Sequence, residues 1–113
     1  MSIKKITIGA KTNNPLTVNR FGYGTMRLTG DMIRGEPENS TEALEILTKA
    51  VASGVNFLDT ADYYGEDVTN RLISETLYPY ANDLVICTKF GTTRSKYKSR
   101  LVFNKPEELR TSI

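Results

Sequence analysis

The alternation of strand-like and helix-like stretches is the feature that most constrains the fold of this 113-residue chain. Residues 55–61 and 83–90 are short apolar runs rich in Val, Ile and Phe, which is typical of buried strands. Between them, residues 67–78 carry apolar side chains at helical spacing and end before Pro79. Because strands joined by helices form right-handed βαβ units, this order predicts a parallel sheet.

Further elements precede this pattern. A helix is predicted from an N-cap at Asn39 or Ser40, with Glu42 in its first turn, to a stop at Gly54. The earlier part of the chain predicts a hairpin formed by residues 3–8 and 16–18. A third short strand is predicted at residues 20–24, and a glycine-containing loop at residues 28–39.

The end of the chain is more polar. Its basic side chains cluster in one stretch, at Arg94, Lys96, Lys98, Arg100 and Lys105. We expect residues 91–105 to form a loop whose charges are solvated, the alternative being a contact with a cofactor phosphate or an anionic substrate. Asn104, with Glu107 three residues later, predicts the start of another helix.

Composition limits the class of protein. Hydrophobic residues make up 39% and charged residues 25%, which suits one modest globular core. With 15 basic and 13 acidic residues the net charge is only +2, so nucleic acid is not an expected partner. The sequence lacks a signal-peptide pattern and any apolar run near the roughly 18 residues of a membrane span. We therefore expect a cytoplasmic protein without membrane contact.

The content of cysteine and histidine restricts metal and redox chemistry. Cys87 is the single cysteine, so no internal disulfide can form, and its apolar surroundings predict a packed core thiol. The chain has no histidine. Together these two facts exclude a structural zinc site, and no metal is expected.

Three chemically active side chains come from two neighbouring predicted strands. Asp59 lies near the end of the first strand, Tyr64 in the loop that follows it, and Lys89 at the end of the second. In a parallel barrel the carboxyl ends of the strands open onto one face, where active sites are built. We expect the three side chains to converge there.

The trio has the properties of a proton donor. A free phenol has a pKa of about 10, and a nearby ammonium eases the loss of its proton. Lys89 can be that ammonium, and because a buried lysine tends to lose its charge, Asp59 can supply the counter-charge. Tyr64 is therefore the candidate general acid toward a carbonyl oxygen, with hydride coming from a nicotinamide.

Three motifs of the chain resemble those of a known family. FGYGTM, GVNFLDTADYYG and DLVICTKFG are similar to the N-terminal signatures of the aldo-keto reductases, and the DTADxYG core is the most specific of them. The stretch TNRLISETLYPYANDLVICTKFG resembles bacterial members that include pyridoxal reductase-like proteins. The likeness extends along nearly the whole chain.

The resemblance implies a fold and an activity. The family forms a (β/α)8 TIM barrel preceded by a β-hairpin, and it reduces aldehydes and ketones with NADP(H). Its catalytic aspartate, tyrosine and lysine fall on Asp59, Tyr64 and Lys89. The turn after the first barrel strand, which in the family lies against the nicotinamide end of the cofactor, falls on Gly24, Thr25 and Met26, and Asp59 joins this cofactor-binding set.

Three other features of the sequence bear on this resemblance. In many members a glutamate stands at the position of Asn70, so the chain departs from the family at one polar contact beside the site. Tyr63 precedes the expected acid by one residue and is assigned to the pocket wall or to packing. A dinucleotide fingerprint at Gly22 and Gly24 is rejected because Arg27 occupies the place of the third glycine.

The length of the chain is the other consequence of the resemblance. We expect residues 1–113 to be a partial domain, truncated after the third barrel strand, with the fourth catalytic residue of the family beyond Ile113. On that view the piece alone is inactive. The alternative is a non-catalytic, truncated or split gene product that needs a complementary C-terminal half or self-associates through its exposed strand edges.

Overall fold

A computed structural model describes residues 4–94, 100–102 and 104–112. Within these ranges, seven strands and three helices follow one another in chain order: β1 (Lys5–Ile8), β2 (Leu16–Asn19), β3 (Tyr23–Gly24), α1 (Ser40–Ala52), β4 (Phe57–Asp59), α2 (Val68–Leu77), β5 (Val85–Cys87), β6 (Thr92–Arg94), β7 (Arg100–Val102) and α3 (Pro106–Ser112). Two short 3-10 helices are also present: Met26–Leu28 follows β3, and Asp31–Ile33 interrupts the loop that was predicted over residues 28–39.

The central element is a parallel sheet of three strands in the order β3-β4-β5. Gly24 is paired with Asp59, and Asp59 is paired in turn with Cys87. The strands are shorter than the predicted runs but lie inside them. The α/β class with parallel strands is thus confirmed for the described residues, whereas a complete barrel is not visible in this piece.

Helix α1 begins and ends as predicted from its caps. The side chain of Asn39 accepts a hydrogen bond from the backbone N–H of Glu42 at 3.0 Å, which satisfies one of the free donors of the first turn. After Ala52 the chain turns at Gly54, whose φ of +105° favours glycine. The helix buries Leu47 completely against the sheet.

Helix α2 covers the same face of the sheet. Its residues Val68, Leu72 and Ile73 are buried in a cluster with Leu47 and with Leu58 of β4. Leu58 is fully inaccessible to solvent. This cluster holds α1, α2 and β4 together, and it fixes the level at which β4 ends.

The opposite face of the sheet is open within the described residues, and Cys87 lies on it. Side chains alternate along a strand, so Ile86 packs toward the core cluster while Cys87 points the other way, on the side of Asp59. Cys87 is exposed. The prediction of a packed core thiol is therefore wrong: an apolar run shows that a strand is buried but not on which face each residue lies.

The N-terminal hairpin packs at the other end of the sheet. β1 and β2 pair antiparallel with Lys5 opposite Asn19, which confirms the prediction, although residue 3 lies outside the described residues. The backbone N–H of Asn19 donates to the side chain of Asn56 at 2.7 Å, and its amide donates to the carbonyl of Gly54. The hairpin is thus attached where β4 begins, away from the predicted catalytic residues.

The prediction of a loop over residues 91–105 is wrong in part. β6 and β7 form an antiparallel pair, with Thr92 opposite Val102. β-branched residues favour strands, and here the surrounding basic residues obscured that preference. Of the basic cluster, Lys96 and Lys98 lie outside the described residues, and Lys105 is exposed.

Helix α3 follows as predicted, with a different capping partner. The backbone N–H of Lys105 donates to the carboxylate of Glu108 at 3.1 Å, so Glu108 rather than Glu107 closes the cap. Among the helices of the described residues, none is long and apolar enough to cross a membrane.

Candidate active site

The structure brings Asp59, Tyr64 and Lys89 together at the carboxyl end of the parallel sheet. Asp59 is the last residue of β4, Lys89 follows β5 by two residues, and Tyr64 lies in the loop between β4 and α2. The Nζ of Lys89 is 2.6 Å from Oδ1 of Asp59 and 3.4 Å from the hydroxyl oxygen of Tyr64. The predicted convergence of the three side chains is therefore present.

Lys89 has a third acceptor that the sequence did not indicate. Its Nζ donates to the carbonyl oxygen of Thr60 at 3.0 Å. An ammonium carries three hydrogens, so Asp59, Thr60 and Tyr64 together satisfy its donor capacity. Nζ also lies 5.3 Å from the centre of the Tyr64 ring, within the range of a cation–π contact. The ammonium is thereby held in one place beside the phenol.

The electrostatics keep Lys89 charged. The hydrogen bond to Asp59 is the largest cause that raises the pKa of Lys89 above its ordinary value of 10.5; partial burial opposes it, and the Tyr64 hydroxyl adds to the increase. The side chain of Lys89 is 52% exposed, so desolvation is weaker than for the buried lysine considered from sequence. At neutral pH the group is an ammonium.

The loop that carries Tyr64 depends on the glycine that follows it. Gly65 has a φ of +66°, a conformation that side chains disfavour. A Cβ at this position would come within 2.8 Å of the Gly35 carbonyl oxygen and of Val68 Cβ, and within 2.9 Å of Thr29 Cγ2. The glycine of the DTADYYG motif is therefore required by backbone geometry and by close packing behind Tyr64.

A second segment supports this turn from outside. The backbone N–H of Gly65 donates to the carbonyl of Ile33 at 3.2 Å, and the N–H of Gly35 donates to the Glu66 carboxylate at 3.1 Å. Arg71 of α2 forms ion pairs with Glu36 and with Glu75. The stretch after β3 is thus tied to both the Tyr64 turn and helix α2.

The predicted cofactor residues Gly24, Thr25 and Met26 lie next to Asp59, but they differ in what they present. Thr25 is fully buried, and both its N–H and its hydroxyl donate to the Asp59 carbonyl, at 2.9 and 3.0 Å. Gly24 has no described atom within 4 Å of the place where a Cβ would stand. Met26 is partly exposed. Thr25 therefore holds the end of β3 to β4, while Gly24 and Met26 border accessible space.

A cavity of about 170 Å³ opens beside the trio. Residues of three segments line it: Ala61, Asp62, Tyr63, Tyr64, Lys89, Phe90 and Thr92. Tyr63 is thus in the pocket wall, as predicted. Asp62 and Phe90 were not predicted to line the site, although both stand within two residues of a predicted catalytic residue.

Asp62 is the more distinctive of the two. Burial is the main cause that raises its pKa, and the nearby carboxylate of Asp67 adds to the increase, while backbone hydrogen bonds oppose both. Its N–H donates to the Lys89 carbonyl at 3.2 Å, which ties the loop after β4 to the end of β5.

In the described ranges, no group of three or more acidic, cysteine or histidine side chains is arranged to hold a metal ion.

Known proteins similar to this chain are oxidoreductases. The chain is 43% identical over all of its 113 residues to pyridoxine 4-dehydrogenase of Escherichia coli, of which it covers 38%. It is 44% identical over 80 residues to an uncharacterized oxidoreductase of Schizosaccharomyces pombe, covering 71% of this chain and 26% of that protein. The chain thus spans well under half the length of these relatives.

Solved structures with the same fold are aldo-keto reductases or a dehydrogenase. The holo form of an aldo-keto reductase from Bacillus halodurans superimposes with a TM-score of 0.77 at 23% identity, over 97% of this chain and 34% of that one. The glycerol dehydrogenase of Gluconobacter oxydans gives a TM-score of 0.69 at 24% identity, over 98% and 34%. At these identities the likeness concerns the fold alone.

The family model of the aldo/keto reductases matches residues 20–113, from the residue after the hairpin to the last residue. That match includes both strand ends and the loop that carry the trio. The chain belongs to the aldo/keto reductase family.

Proposed function

We propose that this chain provides the proton-donating part of an NADP(H)-dependent reductase that converts aldehydes or ketones to alcohols. Tyr64 is the general acid, and Lys89 and Asp59 assist it. The observation that supports this proposal is the position of the Lys89 ammonium, which contacts the Asp59 carboxylate and the Tyr64 hydroxyl at once.

The chemistry follows from the direction of these contacts. Lys89 donates to the Tyr64 oxygen, so positive charge lies where the phenol becomes negative as its proton leaves. The proton passes from Tyr64 to the carbonyl oxygen of the substrate, which becomes an alcohol oxygen. Asp59 keeps Lys89 charged and in place throughout.

A nicotinamide cofactor supplies the hydride when it is bound. The open face at the end of β3 and β4 suits such a group, because space is available beside Gly24 and the half-exposed Asp59 carboxylate is an acceptor there. Gly24, Met26 and Asp59 would hold the nicotinamide end, and Thr25 would support them through the Asp59 backbone. The preference for NADP over NAD is proposed from the family alone.

Pyridoxal is the first substrate to test. The relative that matches the whole chain is named for the oxidation of pyridoxine, the corresponding alcohol. The cavity beside Lys89 has the aromatic rings of Tyr63, Tyr64 and Phe90 in its wall, which suits a flat aromatic aldehyde. We propose this substrate class for the complete protein, meaning the product of the full reading frame that encodes the chain.

The test is an assay of the complete protein with NADPH and pyridoxal, followed by the loss of NADPH absorbance. Tyr64→Phe should lower kcat by at least about a hundredfold, since general acid catalysis contributes that much or more. The control is Tyr80→Phe, because Tyr80 is an exposed ring that pairs with Tyr78 after α2. Unchanged turnover in Tyr64→Phe would refute the assignment of the acid.

The 113-residue chain alone should show little or no turnover. A TIM barrel takes about 250 residues, and its active site draws on the ends of several strands. β3 and β5 are the outer strands of the described parallel sheet, which favours the second candidate: a piece that pairs with a complementary half or with itself. Pyridoxal reduction by a monomer of residues 1–113 would exclude this candidate.

A further inference from the structure

A chain of polar side chains connects the first turn of α2 to the site. The hydroxyl of Thr60 is 2.9 Å from the hydroxyl of Thr69 and 2.8 Å from Oδ1 of Asn70. The amide nitrogen of Asn70 donates to Oδ1 of Asp67 at 2.7 Å. Thr60 and Thr69 are buried, at 1% and 0% exposure, so their hydroxyls depend on this network for hydrogen-bond partners.

The directions of these hydrogen bonds follow from the Asp67 carboxylate. A carboxylate only accepts, so the Asn70 amide must turn its NH₂ toward Asp67 and its oxygen toward Thr60. The Thr60 hydroxyl then donates its one hydrogen to the Asn70 oxygen. Thr69 in turn donates to the Thr60 oxygen. An amide at position 70 is therefore the group that can accept from a hydroxyl and donate to a carboxylate at once.

Thr60 is also the point where this network meets Lys89. Its carbonyl oxygen accepts from the Lys89 ammonium, and its N–H donates to the Cys87 carbonyl at 2.8 Å, so its backbone bridges the ends of β4 and β5. The N–H of Thr69 donates to the Tyr64 carbonyl at 3.4 Å. The first turn of α2 thus touches both the residue that receives Lys89 and the backbone of the proposed acid.

We propose that Asn70 is a positioning residue, which acts through Thr60 to fix the carbonyl oxygen that receives the Lys89 ammonium. Its effect on catalysis rests on the function proposed above. Its effect on the geometry around Lys89 does not, because that effect concerns only the hydrogen bonds that Thr60 donates to Asn70 and that Lys89 donates to Thr60. The two consequences can therefore be measured separately.

The test is an NMR titration of the Lys89 Nζ in the complete protein labelled with ¹⁵N-lysine, the signal being assigned by its loss in Lys89→Arg. Two substitutions break the network, Thr60→Val and Asn70→Leu. Loss of a well-placed acceptor should lower the pKa of Lys89 by about 0.5 unit in each. Thr60→Ser, which keeps the hydroxyl, should leave it unchanged.

Two further variants serve as controls. The exchange Asn70→Asp with Asp67→Asn keeps one amide and one carboxylate in contact, and it should not lower the pKa of Lys89. Thr76→Val removes a hydroxyl that donates only within α2, to the Leu72 carbonyl, and it should have no effect. An unchanged pKa in Asn70→Leu, or an equal fall in Thr60→Ser, would overturn the proposal, and Asn70→Leu decides it even if Thr60→Val does not fold.

Turnover separates this proposal from the one on which it rests. Asn70→Leu should reduce kcat with pyridoxal about tenfold while KM stays near its original value, because a displaced ammonium affects the proton transfer and not substrate binding. If the pKa falls as expected but no carbonyl compound is reduced by the unaltered protein, the positioning role stands and the reductase proposal fails.

Discussion

The two faces of the parallel sheet differ in what they contain. On one face Leu58 is fully buried under α1 and α2. On the other face, one residue along the same strand, Asp59 is about half exposed and bonded to Lys89. The covered face holds the apolar core, whereas the open face and the rim carry the titratable groups. The comparison indicates that stability and chemistry can be altered separately in neighbouring residues of β4.

Truncation on the covered face should have the largest effect. Leu58→Ala removes a fully buried side chain and leaves a cavity between β4 and the helices, so the free energy of unfolding should fall by about 3 kcal/mol. Urea unfolding of the complete protein measures this. The matched variant is Glu45→Ala, an exposed side chain of α1, which should change stability by less than about 0.5 kcal/mol. Equal losses would contradict the burial of Leu58 under the two helices.

The converse experiment removes the charge from the open face. Lys89→Met should lower kcat by about a hundredfold, because the ammonium beside Tyr64 is lost, while unfolding changes by less than about 1 kcal/mol. Pyridoxal turnover and urea unfolding are measured on the same preparation. Lys49→Met, an exposed lysine of α1, is the control and should alter neither quantity. A large loss of stability in Lys89→Met with full turnover would reverse the account.

A substitution in the turn that carries Tyr64 should have an intermediate effect on stability. Gly65→Ala forces a side chain into a left-handed conformation and into contact with backbone and side-chain atoms, so it should cost about 2 kcal/mol and also displace Tyr64. Gly24→Ala is the matched control, because its Cβ would enter open space. Thermal unfolding distinguishes them. If Gly65→Ala is as stable as Gly24→Ala, the close packing behind Tyr64 is not a constraint.

The smallest effect is the dependence of stability on alkaline pH. The pKa of Lys89 is raised in the folded protein, so its bond to Asp59 contributes fully below the ordinary value of 10.5 and is lost as the pH rises above it. Exposure limits the contribution to less than about 1 kcal/mol. The difference in unfolding free energy between the original protein and Lys89→Met should shrink as the pH passes about 10.5. A constant difference would argue against the ion pair.

Local patterns predicted the helices, the parallel strands and the convergence of the trio. The cap at Asn39 and the apolar periodicity of α2 are set by residues close in sequence, and the order of strands and helices fixes which strand ends are adjacent. Asp59 and Lys89 come together for that reason alone. The catalytic roles assigned to the trio stay predictions.

Contacts that depend on the exact placement of the chain were not predictable. The face of Cys87 follows from register, and the pairing of Thr92 with Val102 joins residues whose polar neighbours indicated a loop. The partners of Asn70 were equally hidden, because Thr60 and Asp67 meet it only after α2 has packed on β4. The sequence showed that Asn70 departs from the glutamate of many family members, but it did not indicate which residues Asn70 contacts.

The most direct test of the central claim is the pKa of the Lys89 ammonium, measured by ¹⁵N NMR in the complete protein and in Asp59→Asn and Tyr64→Phe. We expect a pKa above 10.5 in the original protein, a clear fall in Asp59→Asn and a smaller fall in Tyr64→Phe, because the bond to Asp59 is the largest cause of the increase. A pKa that does not respond to either substitution would show that the three groups do not meet, and the proposed proton transfer would lose its basis.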